Sequence, residues 1–337
     1  MRITTQTLIK IAEDTVQQRV KGSHTLLAVY LCGSMNGEGV PALGDTGDVD
    51  LVFIHEVEPP APREFVRITD DYHLDIAHHT RRDYRTPREL RTHPWLGPAI
   101  YNFRILHDPR HFLDFAQASV RDRFHQPAQA LARARSFANE ARQAWVSLLG
   151  SQPAPGTVSL YLGALASAIN AYASLDGNPL PERRLLTQFF GCTAAWGEPG
   201  LYMGVVELLG GAHVDREDLR GWLPAWGEAY TAAAKSASVQ LGLHPDRFRY
   251  YQGAFQSLLE SERPADLLWP LFNSWSLAAR EAAGNQRLIS AWEQAVARAG
   301  LAGEGFGERV AALDGYLDLL EDRLERWGAA QGVGEFD

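Results

Sequence analysis

The chain is short of the residues that cross-link a fold, coordinate soft metals or grip polyanions. Its 337 residues include only 2 cysteines and 3 methionines, and just 3 of its 32 basic residues are lysine. Cys32 and Cys192 are far apart and form no metal-ligand pattern; their apolar surroundings predict buried free thiols in a reducing cytoplasm. No apolar run reaches the ~18 residues of a membrane span. The opening segment, MRITTQTLIKIAEDT, mixes acids with bases and lacks the apolar core of a signal peptide, so a cytoplasmic location with no membrane partner is expected. A basic track is also absent. Net charge is −9, with 15 Lys/Arg against 17 Asp/Glu up to Pro127 and 17 against 24 beyond it. A long nucleic acid would need such a track, so it is not an expected partner. There is no internal repeat.

An apolar content of 45% supports a real core, and the length favours two domains. The most informative stretch is LLAVYLCGSMNGEGVPALGDTGDVDLVFI, residues 26–54. Two apolar runs, Leu26–Cys32 and Val49–Ile54, read as strands around a loop rich in glycine and carboxylates. Residues two apart on a strand share a face, so Asp48 and Asp50 project together, about 6–7 Å apart. Two such carboxylates repel each other and suit a hard dication, which magnesium chemistry typically shares with substrate phosphates. Gly33 lets backbone approach a phosphate closely, and Ser34 adds a hydroxyl beside amides that can form an anion nest.

Gly-Ser followed by Asp-x-Asp on the next strand resembles the signature of the nucleotidyltransferase superfamily that includes DNA polymerase β. Within it the layout is most similar to the aminoglycoside (kanamycin-type) nucleotidyltransferases. The resemblance implies a third carboxylate on a later strand, and Asp75 in Tyr72-His73-Leu74-Asp75-Ile76-Ala77 fits, with Asp71 on the same face of an extended chain. It also implies Mg²⁺ on Asp48, Asp50 and Asp75, ATP as donor substrate held at Gly33 and Ser34, and a possible homodimer. In the resembling enzymes a glutamate of the first long helix in the C-terminal domain is the general base; here Glu140 is the only acid on that helix. Burial would make it a better base. Two departures stand out. The arginine that commonly follows the Gly-Ser pair is missing, and Gly47 replaces a serine before the first aspartate. The arginine cluster 81, 82, 85, 88 and 91 is the candidate substitute for phosphate contact.

Along the chain, residues 5–20 read as a helix, Phe65–Ile68 as a short strand turning into the Asp75 strand, and Ile100–His107 as a closing strand. His78 and His79, adjacent on a strand, should face opposite ways. After Gln126-Pro127 the alternation gives way to alanine-rich helical periodicity, with helices at 131–149, 158–175, 182–191, 201–210, 216–237, 246–261, 264–283, 286–299 and 304–327. Eight of the nine tryptophans lie there, mostly at core spacing. The last ten residues look frayed.

The expected class is α+β: a nucleotidyltransferase domain over residues 1–126, a mixed sheet flanked by helices, followed by an all-α acceptor domain over 127–337. The expected activity is transfer of a nucleoside monophosphate from ATP to a hydroxyl of a small molecule, such as a cationic aminoglycoside drawn to the acidic C-terminal half. A protein- or RNA-modifying nucleotidyltransferase and a non-catalytic nucleotide-binding module are the alternatives. A toxin-type helical ribonuclease, which needs an arginine four to six residues before a histidine, does not fit: after residue 130 the histidines are His213 and His244, and neither has one.

Overall fold

The computed structural model describes residues 4–33, 43–59, 61–84, 86–235, 241–282 and 284–333. The chain divides into two compact units, residues 1–129 and 130–337.

In the first unit, α1 (Thr5–Lys21) starts at the Thr4 hydroxyl, which accepts the Thr7 N–H and satisfies one of the donors a helix N-terminus leaves open. Five strands follow: β1 (Leu26–Cys32), β2 (Gly47–His55), β3 (Arg63–Arg67), β4 (Tyr72–Thr80) and β5 (Arg104–His107). They form a mixed sheet in the order β3-β4-β2-β1-β5. β2 and β4 are parallel, and the other pairs are antiparallel.

Alternation along the strands sorts residues between two faces. Val29, Leu31, Val49, Leu51, Phe53, Leu74 and Ile76 pack on Leu8, Ala12 and Val16 of α1. Ala28, Tyr30, Val52 and Ile54 lie under Leu90, Ile100, Leu113, Ala116 and Val120, supplied by α2 (Pro87–Thr92), α3 (Leu96–Asn102) and α4 (Phe112–Arg121). Each large apolar side chain so buried contributes about 1.5–3 kcal/mol. Beneath those helices Tyr84 joins His79 Nδ1 (2.7 Å) to the Tyr30 hydroxyl (2.8 Å), so this buried polar row is satisfied. His78 faces the other way, with Nδ1 on His55 Nε2 at 2.9 Å and Nε2 on Glu64 at 3.2 Å. At the end of the second face, where β2 and β4 begin, apolar residues give way to Asp48, Asp50, His73 and Asp75.

The strand expected over Ile100–His107 is corrected. Its first part is the end of α3, and β5 begins at Arg104. Ile100 and Phe103 are three apart, a helical spacing that a strand would put on opposite faces. Gly97 settles the choice by letting α3 sit against α2: a Cβ there would lie 2.6 Å from the Leu90 carbonyl oxygen.

The second unit is helical: α5 (Pro127–Leu148), α6 (Pro155–Ala173), α7 (Leu185–Ala195), α8 (Pro199–Leu208), α9 (Arg216–Ala233), α10 (Phe248–Leu259), α11 (Leu268–Glu281), α12 (Gln286–Arg298) and α13 (Glu304–Ala330). α11 is buried along most of its length and packs against α6 and α9. Tryptophans fill the interior, and three of them place their N–H groups: Trp226 donates to Ser274 Oγ, Trp292 to Ser276 Oγ and Trp269 to the Leu162 carbonyl. α13 continues to Ala330, into the segment expected to fray, and its end is closed by the Val333 N–H on the Gly328 carbonyl at 2.9 Å.

Candidate metal centre

The parallel register of β2 and β4 sets Asp48 beside His73 and Asp50 beside Asp75. Neighbouring strands are about 4.8 Å apart, so the four side chains make two adjacent rows on one face. One donor atom each from Asp48, His73 and Asp75 lies within 4.8 Å of the others. All three residues are buried, at 8%, 1% and 2% exposure. The Phe65 ring meets the His73 imidazole edge-on at 5.7 Å.

The three aspartates differ in their partners. Asp75 accepts two bonds from Arg63 of β3, Nε to Oδ1 at 2.5 Å and Nη2 to Oδ2 at 2.8 Å. That bidentate geometry is the strong form of the pair. Asp48 accepts no hydrogen bond and makes no ion pair among the described residues. Asp50 turns toward β1, where it is paired in register with Cys32, and its carboxylate fills the space that a side chain on Gly33 would need. Gly33 also has φ +73°, a conformation costly for other residues. Its lack of a side chain therefore makes room for a carboxylate of the site itself, in addition to any ligand.

Three carboxylates thus gather at the strand ends, and among the described residues Arg63 is the guanidinium seen on Asp75. A dication is the natural complement of such a set. Burial, together with the nearby Asp50 and Asp75 carboxylates, pushes the Cys32 thiol well above its ordinary value. That keeps it protonated and inert as a nucleophile.

The other expected site residues lie elsewhere. Ser34 belongs to the stretch 34–42, outside the described residues. Just beyond it, positive φ at Gly44 and Asp45 makes a tight turn closed by the Leu43–Thr46 bridge, which leads straight into β2. Asp71, the possible confusion with Asp75, is exposed before β4 and uses its backbone N–H on Thr69 Oγ1. Glu140 is on α5 in the second unit, exposed, and accepts Ser167 Oγ at 3.4 Å.

Two members of the arginine cluster are engaged by other partners. Arg81 pairs with Glu56 at 3.4 Å, and Arg91 Nε donates to the Ser119 carbonyl at 2.7 Å. Arg85 is outside the described residues. The guanidinium at the acids is Arg63. Sequence reasoning missed both Arg63 and His73. His73 carried a readable signal, because it precedes Asp75 by two residues and must share its face. Arg63 did not, because its reach depends on β3 pairing with β4 so that Phe65 opposes Asp75.

No protein-family model matches the chain, and no curated protein matches it either. The second unit holds a cavity of about 920 Å³ beside α9, α10 and α12, lined in part by Trp226, Phe248, Phe255, Gln252, Lys235 and Arg287. Its volume suits a small molecule. Its charged lining is Arg220, Lys235 and Arg287 against Glu228, which does not favour a polycationic ligand.

Proposed function

We propose that the chain is a divalent-metal nucleotidyltransferase that moves AMP from ATP to the hydroxyl of a small molecule. The observation that carries this reading is the placement of Asp48 and Asp75 with converging donors, and of Asp50 in register with Asp75. Asp50 lies beside the end of β1, in register with Cys32, next to the Gly-Ser pair that would hold a triphosphate. In the proposed reaction the acceptor oxygen forms a bond to the α-phosphorus, the bond to the β-phosphate oxygen breaks, and pyrophosphate leaves. A bound dication supplies charge neutralisation of the triphosphate and activation of the acceptor oxygen. Asp48 and Asp75 would hold it, Mg²⁺ in the resembling family, and Asp50 would face the phosphate side. Arg63 keeps the Asp75 carboxylate in a fixed orientation.

The acceptor is proposed as a hydroxyl compound of low molecular weight. An aminoglycoside remains within that class on the acidity of the C-terminal half, although the charged lining of the second unit's cavity argues for a less cationic acceptor. Glu140 is the proposed proton acceptor on helix position alone. Calorimetry with ATP and Mg²⁺ or Mn²⁺, followed by a screen of alcohols and aminoglycosides for pyrophosphate release, tests the reading. Failure of the metal-loaded chain to bind any nucleoside triphosphate sinks it.

One observation favours a second reading, a nucleotide-binding module without turnover. Arg63 occupies both oxygens of Asp75, the carboxylate expected to serve the acceptor side. Under that reading ATP binds and no alcohol releases pyrophosphate.

A further inference from the structure

The resembling enzymes bind their ion through carboxylates alone, but the donors that converge here include an imidazole. We infer that His73 is a direct ligand, and that the site prefers a first-row transition dication to Mg²⁺. This deepens the proposed function by naming the cofactor class of the same site, and rests on that reading only for the site's purpose.

Three independent observations carry it. The first is geometry: donor atoms of Asp48, His73 and Asp75 lie within 4.8 Å of one another. Bonds of about 2.0–2.2 Å to a common ion place donors at most about 4.4 Å apart, so a small rotation of these side chains closes the set. The second is Asp48 itself. It is 8% exposed, aimed into this group, and has no hydrogen bond or ion pair among the described residues. A buried carboxylate of that kind is costly unless a cation balances it. The third is the fixed place of His73, which is 1% exposed, in parallel register with Asp48 and edged by Phe65. It cannot leave the donor group without breaking the strand alternation that buries Leu74 and Ile76 on the opposite face.

Donor chemistry then decides the ion. Magnesium demands oxygen ligands in a near-ideal octahedron and keeps much of its water. Imidazole nitrogen favours first-row transition ions. Arg63 adds to the selection, because it engages both Asp75 oxygens and weakens the pull of that carboxylate on a hard ion. The set therefore has two carboxylates, one of them shared with a guanidinium, and one nitrogen.

The test uses the full chain stripped by a chelator and titrated with MnCl₂ and MgCl₂ by calorimetry, with pulsed electron paramagnetic resonance of the Mn²⁺ form. The expected result is Mn²⁺ binding at least about tenfold tighter than Mg²⁺, with a ¹⁴N coupling from a directly bound ring nitrogen. His73→Asn should lose the coupling and most of the preference, and His73→Asp should bind Mg²⁺ better than the parent does. Unchanged thermal melts of the variants keep a folding defect apart from ligand loss, and the ¹⁴N signal of the parent needs no variant at all. Equal affinity for the two ions, absence of the coupling in the parent, or binding of neither ion overturns the inference. A metal-loaded chain that shows the coupling and yet ignores nucleoside triphosphates leaves it standing and removes the nucleotidyl-transfer reading instead.

Discussion

Two aspartates of equal burial show how differently this molecule treats a hidden charge. Asp75 on β4 and Asp266 at the start of the α11 region are both 2% exposed. In the helical unit, Asp266 is answered on every side: it accepts Tyr202 Oη at 2.6 Å, Thr187 Oγ1 at 2.9 Å and Arg263 Nε at 3.3 Å. The guanidinium of Arg263 rests on the Phe190 ring at 4.0 Å. Nothing in that arrangement calls for an ion. Among the described residues Asp75 is held by one side chain, Arg63, and is set among Asp48, Asp50 and Cys32. The charge of Asp266 is met by three donors from separate residues, whereas that of Asp75 is met by one guanidinium and stands in a row of like charges. On the proposed function, the chemistry belongs to the sheet's end.

The contrast can be broken at several points. The largest expected effect is on turnover. Asp50→Asn should cut pyrophosphate release by about 10³-fold, since loss of a few kcal/mol of charge stabilisation is about tenfold per 1.4 kcal/mol. Its melting temperature should stay within a degree or two of the parent's, and unchanged turnover would falsify the mechanism. Next comes Asp266→Ala, which strands Arg263 and two hydroxyls and should lower unfolding free energy by about 3 kcal/mol. In parallel urea titrations Asp75→Asn should lose no more than about 1 kcal/mol, because relief from neighbouring carboxylates offsets the lost Arg63 bonds. Equal losses in the two variants would erase the distinction drawn here.

Gly33→Ala should cost about 1–3 kcal/mol from its positive φ, and its new methyl must displace the Asp50 carboxylate. Its signature is a joint fall in stability and in metal-dependent triphosphate binding; retention of both would show that Asp50 has another place to go. The smallest effect concerns acid. Burial lowers the His55, His79 and His93 values below the ordinary 6.5, so the folded chain keeps them neutral while the unfolded chain takes up protons. The stability they contribute is complete above about pH 6.5 and declines as pH falls below it. All three belong to the first unit. Hydrogen exchange, corrected for intrinsic rate, should show protection of β-strand amides falling between pH 7.5 and 5.5 more than that of the α11 amides. The opposite order would place the acid-sensitive region in the helices.

Much of this structure was legible before any coordinates. β1 begins and ends at Leu26 and Cys32 as the apolar run does, and the helical periods after residue 130 match α5 to α13 within a few residues. Period alone suffices there, because long amphipathic segments have one way to bury their stripe. The segment 96–107 departs from its strand reading: Ile100 and Phe103 stand at helical spacing, and Gly97's fit against Leu90 lets α3 form there. At the site, Asp48, Asp50 and Asp75 could be picked out because strand alternation puts chemistry-bearing residues on a predictable face. Arg63 could not, and the arginine-dense stretch from Arg81 drew attention away from it.

What the sequence determined by itself was therefore local: which residues form strands and helices, which face each side chain takes, and that three carboxylates sit where strands begin. Those properties follow from periods of 2 and 3.6 residues, which are written into a single segment. Only the tertiary structure decided the company those carboxylates keep. The parallel register of β2 with β4 brought His73 beside Asp48, the hairpin of β3 on β4 brought Arg63 onto Asp75, and the end of β1 turned Gly33 toward Asp50. Register is a property of two segments together, set by how their apolar faces share a core, and no single stretch of the chain contains it.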